Sequence, residues 1–377
     1  MDALITLVPP SNFSNGPEPR ERFRRFPNDP PPKSFKRLQR KLPTEARPPR
    51  PTILALLLTS LYALTTPSYA ETTEIGLPGD NAYPESVSAG SDGTLYVGSP
   101  SVGGVWRIDP KSSAVEQWIK PGAFGTRSLL GVLVDAKANR LFVCSNDFSS
   151  SGIPGPSSVA GSFVKGFDLA TGEGKVSAAL PGKAAICNDM AVGPDGSLFI
   201  TNSLEPQILR LKPGSSELEV WLESPAFEQP PQGAPGLDGI AFGADGNLYV
   251  NTFAPGGFFR VEVTDGKPGA VTKLEPSRQL KFPDGLRSIG GQSFVMAEGG
   301  GSVDRVTVNG DRVDVETIVD GIAGPTSVVP IGQMLWVTEG QLPHLFQAAT
   351  SGPPHLPFRI VGAPSGDAGH SKQGALP

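Results

Sequence analysis

The hydrophobic positions from residue 80 onward recur as short strands rather than as helices. A short apolar run is followed by a turn that often ends in Gly, and then by a second strand with an aromatic residue at its centre. There are six such second strands, with their central residues at Tyr96, Phe142, Phe199, Tyr249, Phe294 and Trp336. Consecutive members are separated by 46, 57, 50, 45 and 42 positions. The pattern therefore predicts six repeats of similar length.

The turns within these repeats are typical of β-hairpins. Three of them carry Asp-Gly just before the second strand, at Asp92-Gly93, Asp195-Gly196 and Asp245-Gly246, and this dipeptide between apolar runs is a strong hairpin signal. Further short strands follow each hairpin, which gives four strands per repeat. Four strands at this period are typical of a propeller blade. The sequence predicts an all-β fold, a six-bladed β-propeller with four antiparallel strands per blade, closed by Thr73–Gly76 and Phe358–Val361.

The first seventy residues have a different composition. Residues 1–51 are rich in Pro and Arg without apolar periodicity, and an apolar stretch follows at 53–64. At about 12 residues it is shorter than the roughly 20 that span a bilayer, and small residues follow it up to Ala70. This order predicts a secretory signal peptide cleaved after Ala70; the alternative is an uncleaved membrane anchor. The predicted organisation is a leader with signal peptide at 1–70, a propeller at 71–363 and a flexible tail at 364–377, in a periplasmic or extracellular protein.

Composition and charge narrow the function. The 46 Gly and 40 Pro among 377 residues argue against a helical protein. Without residues 1–70 the chain carries 21 basic and 32 acidic residues, a net charge of −11, which argues against a nucleic acid or an anionic membrane as partner and favours a small molecule or a cation. The three histidines all lie in the last tenth of the chain, which argues against a Ser-His-Asp triad and a multi-histidine zinc site.

The first strand of each blade lines the central channel of a propeller, so that equivalent positions converge there. Counting back eleven residues from each central aromatic residue, or ten in the fifth blade, selects Glu85, Gly131, Asn188, Asp238, Asp284 and Pro325. Carboxylates crowded at a channel mouth would repel one another, and a hard divalent cation would resolve the repulsion. We therefore predict a metal site of Glu85, Asp238 and Asp284, with Asn188 as fourth ligand or substrate contact. The alternative is that both Asp-Gly pairs are simply turns.

Polar residues at the ends of the second strands are expected to surround this site. They are Asn146, Asp147, Asn202, Asn251, Glu298 and Glu339. Of these we predict Asn146 and Glu298 as substrate contacts. Cys144 and Cys187 lie at strand ends of neighbouring blades, where either a disulfide or two buried thiols would fit.

These residues resemble those of the SMP-30/gluconolactonase/luciferin-regenerating-enzyme-like family of six-bladed propellers, over roughly residues 80–340. The resemblance rests on Glu85, Asn188-Asp189, Asp238-Gly239 and Pro283-Asp284-Gly285. It implies one divalent metal held by Glu85, Asp284 and position 238, where the family usually has Asn, with Asn188 touching substrate or metal. Family lactonases often place Arg two residues before that Asn, where this chain has Ile186.

The leading functional hypothesis is metal-dependent hydrolysis of a lactone or similar cyclic ester in the channel. One divalent ion, Ca²⁺ first and Mn²⁺, Mg²⁺ or Zn²⁺ as alternatives, would polarise the carbonyl, and Asp284 or Asp238 would act as general base. The rival hypothesis is a non-enzymatic exported propeller that binds a small ligand or a partner protein.

Overall fold

The computed structural model describes residues 72–366, apart from 183–184, 229 and 232–233. The predicted leader and signal peptide and the tail beyond residue 366 lie outside the described residues. The described chain forms six antiparallel sheets arranged as blades, so the predicted six-bladed propeller is confirmed. Among the described residues, no helix has the length and apolar character needed to cross a membrane.

Each blade is a four-stranded sheet whose first strand lies innermost. The strand that opens the chain is Thr73–Gly76 (β1). Blades 1 and 2 contain Val87–Ala89 (β2), Leu95–Gly98 (β3), Val105–Asp109 (β4), Ala114–Ile119 (β5), Ser128–Asp135 (β6), Arg140–Asn146 (β7), Phe163–Asp168 (β8) and Gly174–Ala179 (β9). Blades 3 and 4 contain Cys187–Val192 (β10), Leu198–Asn202 (β11), Gln207–Leu211 (β12), Leu218–Glu223 (β13), Leu237–Phe242 (β14), Leu248–Thr252 (β15), Gly257–Thr264 (β16) and Lys267–Lys273 (β17).

The last two blades depart slightly from this plan. Blade 5 carries the short extra strand Glu275–Pro276 (β18) beside Pro283–Gly290 (β19), Ser293–Glu298 (β20), Ser302–Asn309 (β21) and Arg312–Asp320 (β22). Blade 6 contains Pro325–Ile331 (β23), Met334–Glu339 (β24) and Arg359–Pro364 (β25). Two short helices, Leu342–Phe346 (α1) and Ala348–Ser351 (α2), lie between β24 and β25; we call residues 342–351 the cap.

The ring closes by pairing the two ends of the described chain. Strand β1 runs antiparallel to β25, with Thr73 opposite Gly362 and Gly76 opposite Arg359, and forms the outermost strand of blade 6. The predicted closure is thus confirmed. Blade 6 therefore contains strands from both ends of the described chain, and this pairing closes the ring between the first and last repeats.

The Asp-Gly hairpins are built alike in blades 1, 3 and 4. The Gly of each pair has a positive φ of 79° to 86°, a conformation that glycine adopts without steric cost. The preceding carboxylate accepts a backbone N–H two residues on, as in the 3.0 Å bond from Thr94 N to Asp92 Oδ1. These turns set the register of the second strands against the first.

The hydrophobic core lies between the blades. The buried apolar side chains form six clusters, and each cluster joins two adjacent blades. The second strands are buried along their whole length in blades 1, 3 and 4 because a neighbouring blade covers each face. This explains why those strands read as continuous apolar runs, whereas the outer strands alternate.

Candidate active site in the propeller channel

In five of the six blades a register irregularity in the innermost strand places one side chain in the channel. The pairing of the first two strands shifts after the first paired residue in blades 3 to 6, as between Leu237 and Ile240, and after the second in blade 2, between Leu129 and Val132. Such bulges turn a side chain out of the regular pleat. The residues at this position are Glu85, Leu130, Asn188, Asp238, Asp284 and Thr326, and all six line one pocket; we call them the channel ring.

Two of the six predicted ring positions are therefore wrong by one residue. The structure has Leu130 in place of Gly131, and Thr326 in place of Pro325. The count from the central aromatic residue failed because hairpin length differs between blades: β6 and β7 pair as far as Asp135 and Arg140, whereas β23 and β24 turn between Ile331 and Met334. The four polar positions were placed in the ring as predicted.

The residues after the ring positions are mostly small, because the inner strands approach one another closely there. They are Ser86, Gly131, Asp189, Gly239, Gly285 and Ser327. A Cβ on Gly131 would collide with the carbonyl oxygen of Asn188, and one on Gly239 with that of Asp284. Glycine thus lets neighbouring blades converge just below the ring.

The acidic residues of the ring are buried and in contact. Glu85, Asp238 and Asp284 are 4%, 3% and 6% exposed. The carboxyl groups of Asp238 and Asp284 lie close enough to influence each other electrostatically, and Asn188 Nδ2 donates to Asp238 Oδ2 at 2.9 Å. One oxygen of Glu85 (Oε2) and one of Asp238 (Oδ1) are buried without a hydrogen-bond partner.

Burial raises the pKa of all three carboxyl groups. Desolvation is the main cause for Glu85, with Asp238 and Asp189 adding to it and Arg287 opposing it, and its pKa lies well above the ordinary value. Desolvation, then the charges of Asp238 and Glu85, raise the pKa of Asp284 in the same way. Desolvation raises the pKa of Asp238 to about 7. The contact between two carboxyls requires a proton or a cation between them.

Arg287 is a buried charged residue beside the channel ring that the sequence reasoning missed. It lies on β19, and its guanidinium reaches Asp189 of blade 3 with bonds of 2.6 and 3.0 Å to the two carboxylate oxygens. The Arg287 side chain is 12% exposed and that of Asp189 is 5% exposed. The pair therefore places one buried positive charge beside the acidic ring. The signal available in the sequence was an Arg two residues after Asp284-Gly285, on a strand predicted to line the channel.

The oxygen donors of the channel ring are of the kind that bind a divalent cation, but their present spacing is not that of a formed metal site. Among residues 72–366 as described, no three His, Cys, Asp or Glu side chains already stand at metal-ligand distances. The two unpartnered oxygens of Glu85 and Asp238 and the mutual repulsion of the three carboxyl groups nevertheless mark a site that an added positive charge would stabilise. A small cavity of about 10 Å³ is lined by Glu85, Asn188 and Asp284 among others, close to the ~10–15 Å³ that holds one water-sized species. Oxygen donors of this kind are those that Ca²⁺, Mg²⁺ and Mn²⁺ prefer.

Above the ring the pocket is apolar. Its volume is about 190 Å³. Its walls and roof are formed mainly by Leu130, Phe148, Ile186, Pro235, Phe253, Phe282, Leu342, Pro343 and Phe346. The cap contributes Leu342, Pro343 and Phe346 and so covers part of the channel mouth. No histidine of the described residues lines this pocket.

The predicted substrate contacts Asn146 and Glu298 lie outside the pocket lining. Asn146 holds blade 3 to blade 2, because its side chain donates to the carbonyl of Cys187 at 2.9 Å and accepts from its N–H at 3.0 Å. Glu298 pairs with Arg278 at 2.9 Å and accepts from the N–H of Lys281 at 3.1 Å. Both side chains are occupied by contacts within the scaffold. Of the three predicted substrate contacts, Asn146, Asn188 and Glu298, only Asn188 lines the pocket.

The two cysteines form a disulfide, which settles the alternative that the sequence left open. Cys144 on β7 is bonded to Cys187 on β10 across a separation of 43 residues. The bond joins blade 2 to blade 3, and Cys187 directly precedes Asn188 of the channel ring. The disulfide and the two hydrogen bonds of Asn146 thus fix the same strand.

Removing this disulfide is expected to lower the free energy of unfolding by up to about 4 kcal/mol, the loop-closure value for a loop of this length. The double variant Cys144→Ser/Cys187→Ser, unfolded in urea, measures the effect. The reduced wild-type protein is the control and should match the variant. Equal stability of the oxidised wild type and the variant would contradict this role.

The raised carboxyl pKa values predict that the metal-free protein is less stable in neutral than in mildly acidic solution. A carboxyl whose pKa is higher in the folded than in the unfolded state stabilises the fold while it is protonated, and this stabilisation is lost as pH rises through the folded-state pKa. Between about pH 4 and pH 7 the unfolding free energy should therefore fall, on the order of a few kcal/mol. Urea unfolding with a chelator over this range measures it. The variant Asp238→Asn should show a shallower slope, and an identical slope would contradict the assignment.

Comparisons with known proteins support the fold. No protein-family model matches the chain, and no curated protein matches it. Solved structures do match. A gluconolactonase from Xanthomonas campestris is 17% identical with a TM-score of 0.55, over 78% of this chain and 89% of that one.

Two further structures show how widely this architecture is used. Regucalcin from Agrobacterium tumefaciens, a calcium-binding protein, is 18% identical with a TM-score of 0.51, over 78% of this chain and 93% of that one. Virginiamycin B lyase from Staphylococcus aureus is 14% identical with a TM-score of 0.52, over 78% of this chain and 98% of that one. At such identities the likeness concerns the propeller fold, which serves unrelated activities.

Proposed function

We propose that this protein is a metal-dependent hydrolase of the SMP-30/gluconolactonase type, which opens a lactone or similar cyclic ester in the propeller channel. The observation that carries the proposal is the buried trio Glu85, Asp238 and Asp284 at the floor of an apolar pocket, in which one oxygen of Glu85 and one of Asp238 have no hydrogen-bond partner. The regucalcin and gluconolactonase folds support it.

In this proposal Glu85, Asp238, Asp284 and Asn188 hold one divalent cation, with Ca²⁺ the first choice and Mn²⁺, Mg²⁺ or Zn²⁺ as alternatives. When bound, such an ion supplies Lewis-acid polarisation of a carbonyl oxygen and a lower pKa for a nearby water. Asn188 is held toward the trio by Ser203, whose Oγ accepts from Asn188 Nδ2 at 2.9 Å. The same Nδ2 also donates to Asp238, so the amide oxygen of Asn188 is left to face a ligand.

The carboxylates then perform the proton transfers. Asp284, or Asp238, accepts the proton of the attacking water as the new carbon–oxygen bond forms. The acyl–oxygen bond of the ring breaks, and the same carboxyl returns its proton to the departing alkoxide, which leaves a hydroxy acid. Burial raises the pKa of Asp238 to about 7 in the metal-free chain, and a bound cation would lower it, so that the carboxylate is ionised and able to accept a proton near neutral pH. The apolar walls exclude bulk water and strengthen the electrostatic interactions at the floor.

Export to the periplasm or cell exterior forms part of the proposal. The disulfide Cys144–Cys187 supports it, because disulfides persist in oxidising compartments. The predicted signal peptide at 1–70 remains a prediction.

The experiment is a lactone screen with chelator-treated protein to which single metals are returned. We expect no turnover in the metal-free state and hydrolysis after addition of Ca²⁺ or another of the four ions. Absence of turnover with every ion, although the ion binds, would instead support the non-enzymatic binding propeller.

A further inference from the structure

The polar side chains of the pocket lie at its floor, and the apolar side chains lie above them. The polar side chains Glu85, Asn188, Asp238, Asp284 and Thr326 form the floor, and Gln347 of the cap is the remaining polar side chain of the lining within the described part of the chain. The Thr326 hydroxyl is already used, since it donates to the carbonyl of Glu85 at 2.6 Å. Among the lining residues that the structure describes there is neither Lys nor Arg.

Two aromatic pairs form opposite parts of the lining. Phe148 of blade 2 meets Phe346 of the cap edge to face at 5.4 Å between ring centroids. The ring centroids of Phe253 in blade 4 and Phe282 in blade 5 are 5.3 Å apart, and the two rings are tilted relative to each other. Phe253, Phe282 and Phe346 are only half-buried, so a ligand in the pocket would remove further aromatic surface from water.

The backbone of Phe282 is held in an unfavourable conformation. Its φ is +57°, in the left-handed region that bulky side chains rarely adopt and that costs roughly 1–2 kcal/mol. Phe282 lies two residues before Asp284. The strained backbone at Phe282 thus accompanies an aromatic side chain that lies close in sequence to the proposed base. Backbone strain of this kind clusters at ligand sites.

We propose that the substrate is an apolar lactone, one that carries an alkyl or aryl substituent, rather than a polyhydroxylated sugar lactone. This inference rests on the proposed function. The ring ester faces the floor and the substituent lies against Phe148, Phe253, Phe282 and Phe346. The pocket volume of about 190 Å³ exceeds the ~150 Å³ of an apolar cavity that holds benzene. A sugar lactone would bury several hydroxyls against walls without partners, at a loss of about fivefold or more in affinity for each.

The test compares δ-lactones of increasing alkyl chain length with glucono-δ-lactone, using the metal-loaded full-length protein. We expect kcat/KM to rise about fourfold for each added methylene until the pocket is full, and glucono-δ-lactone to be at least a hundredfold poorer than δ-decalactone. Phe346→Ser should reduce kcat/KM for δ-decalactone about tenfold and leave δ-valerolactone within twofold. Val220→Ser, at an exposed apolar residue outside the pocket, is the matched control and should change neither.

A binding measurement separates this inference from the hydrolase proposal. The corresponding δ-lactams, which resist hydrolysis, are titrated by calorimetry, and their affinity should rise with alkyl length. Chain-dependent lactam binding without turnover of any lactone would refute the hydrolase and retain the apolar ligand class. Faster turnover of the sugar lactone than of the alkyl lactones, or lactam affinity that does not depend on chain length, would overturn the inference.

Discussion

Replacement of Arg287 by methionine is expected to lower the free energy of unfolding by about 3 to 5 kcal/mol, the range for breaking one side of a buried ion pair. Asp189 is 3% exposed, and Arg287 provides two hydrogen bonds to its carboxylate, at 2.6 and 3.0 Å. Without the guanidinium, the Asp189 carboxylate would keep backbone bonds from the N–H of Met190 at 2.8 Å and of Ile240 at 3.4 Å. Its charge would then add to the repulsion from Glu85, Asp238 and Asp284. Urea unfolding at neutral pH measures the loss.

Two variants serve as controls for this prediction. The double variant Asp189→Asn/Arg287→Met removes both charges and should recover much of the lost stability. Arg107→Met breaks the exposed pair with Glu116, at 2.6 Å, and should cost at most about 1 kcal/mol. If the free energy of unfolding of Arg287→Met lies within 1 kcal/mol of the wild-type value, other groups compensate the charge of Asp189 and our account of the channel electrostatics is wrong.

The second large effect is expected in catalysis. Asp284→Asn should lower kcat for lactone hydrolysis by about 10²- to 10⁴-fold, the usual contribution of a general base. The substitution keeps the side-chain shape and removes both the base and one negative charge of the trio. The acidic limb of the pH–rate profile should change with it, because a titrating carboxyl is lost.

Asp92→Asn is the matched control, since Asp92 caps a surface hairpin by bonding Thr94 and is not among the residues that line the pocket. Its kcat should equal that of the wild type. Activity of Asp284→Asn within threefold of wild type, with an unchanged pH profile, would remove Asp284 from the mechanism.

The propeller itself was predictable from the sequence because its determinants are local. Strand pairs separated by Asp-Gly turns show the repeat directly, and the aromatic residues at the strand centres mark its period. Closure by Thr73–Gly76 with the last strand followed from the same pattern.

The site was predictable only in part, for two physical reasons. Hairpin length varies between blades, so a fixed count placed Gly131 and Pro325 where Leu130 and Thr326 lie. Contacts between distant blades have no local signature: Arg287 meets Asp189 across 98 positions, and Phe346 reaches Phe148 from the cap. Polar residues such as Asn146 and Glu298 looked suitable for a ligand but are used between strands.

The most direct test of the central claim, a divalent cation bound by the channel carboxylates, is calorimetric titration of chelator-treated protein with Ca²⁺ near neutral pH. The account predicts one ion per chain, with protons released because carboxyls of raised pKa give them up on binding; buffers of different ionisation enthalpy measure that release. Asp284→Asn and Glu85→Gln should each weaken binding, whereas Asp92→Asn should not. Absence of binding by Ca²⁺, Mn²⁺, Mg²⁺ and Zn²⁺ alike, or binding that both ring variants leave unchanged, would contradict it.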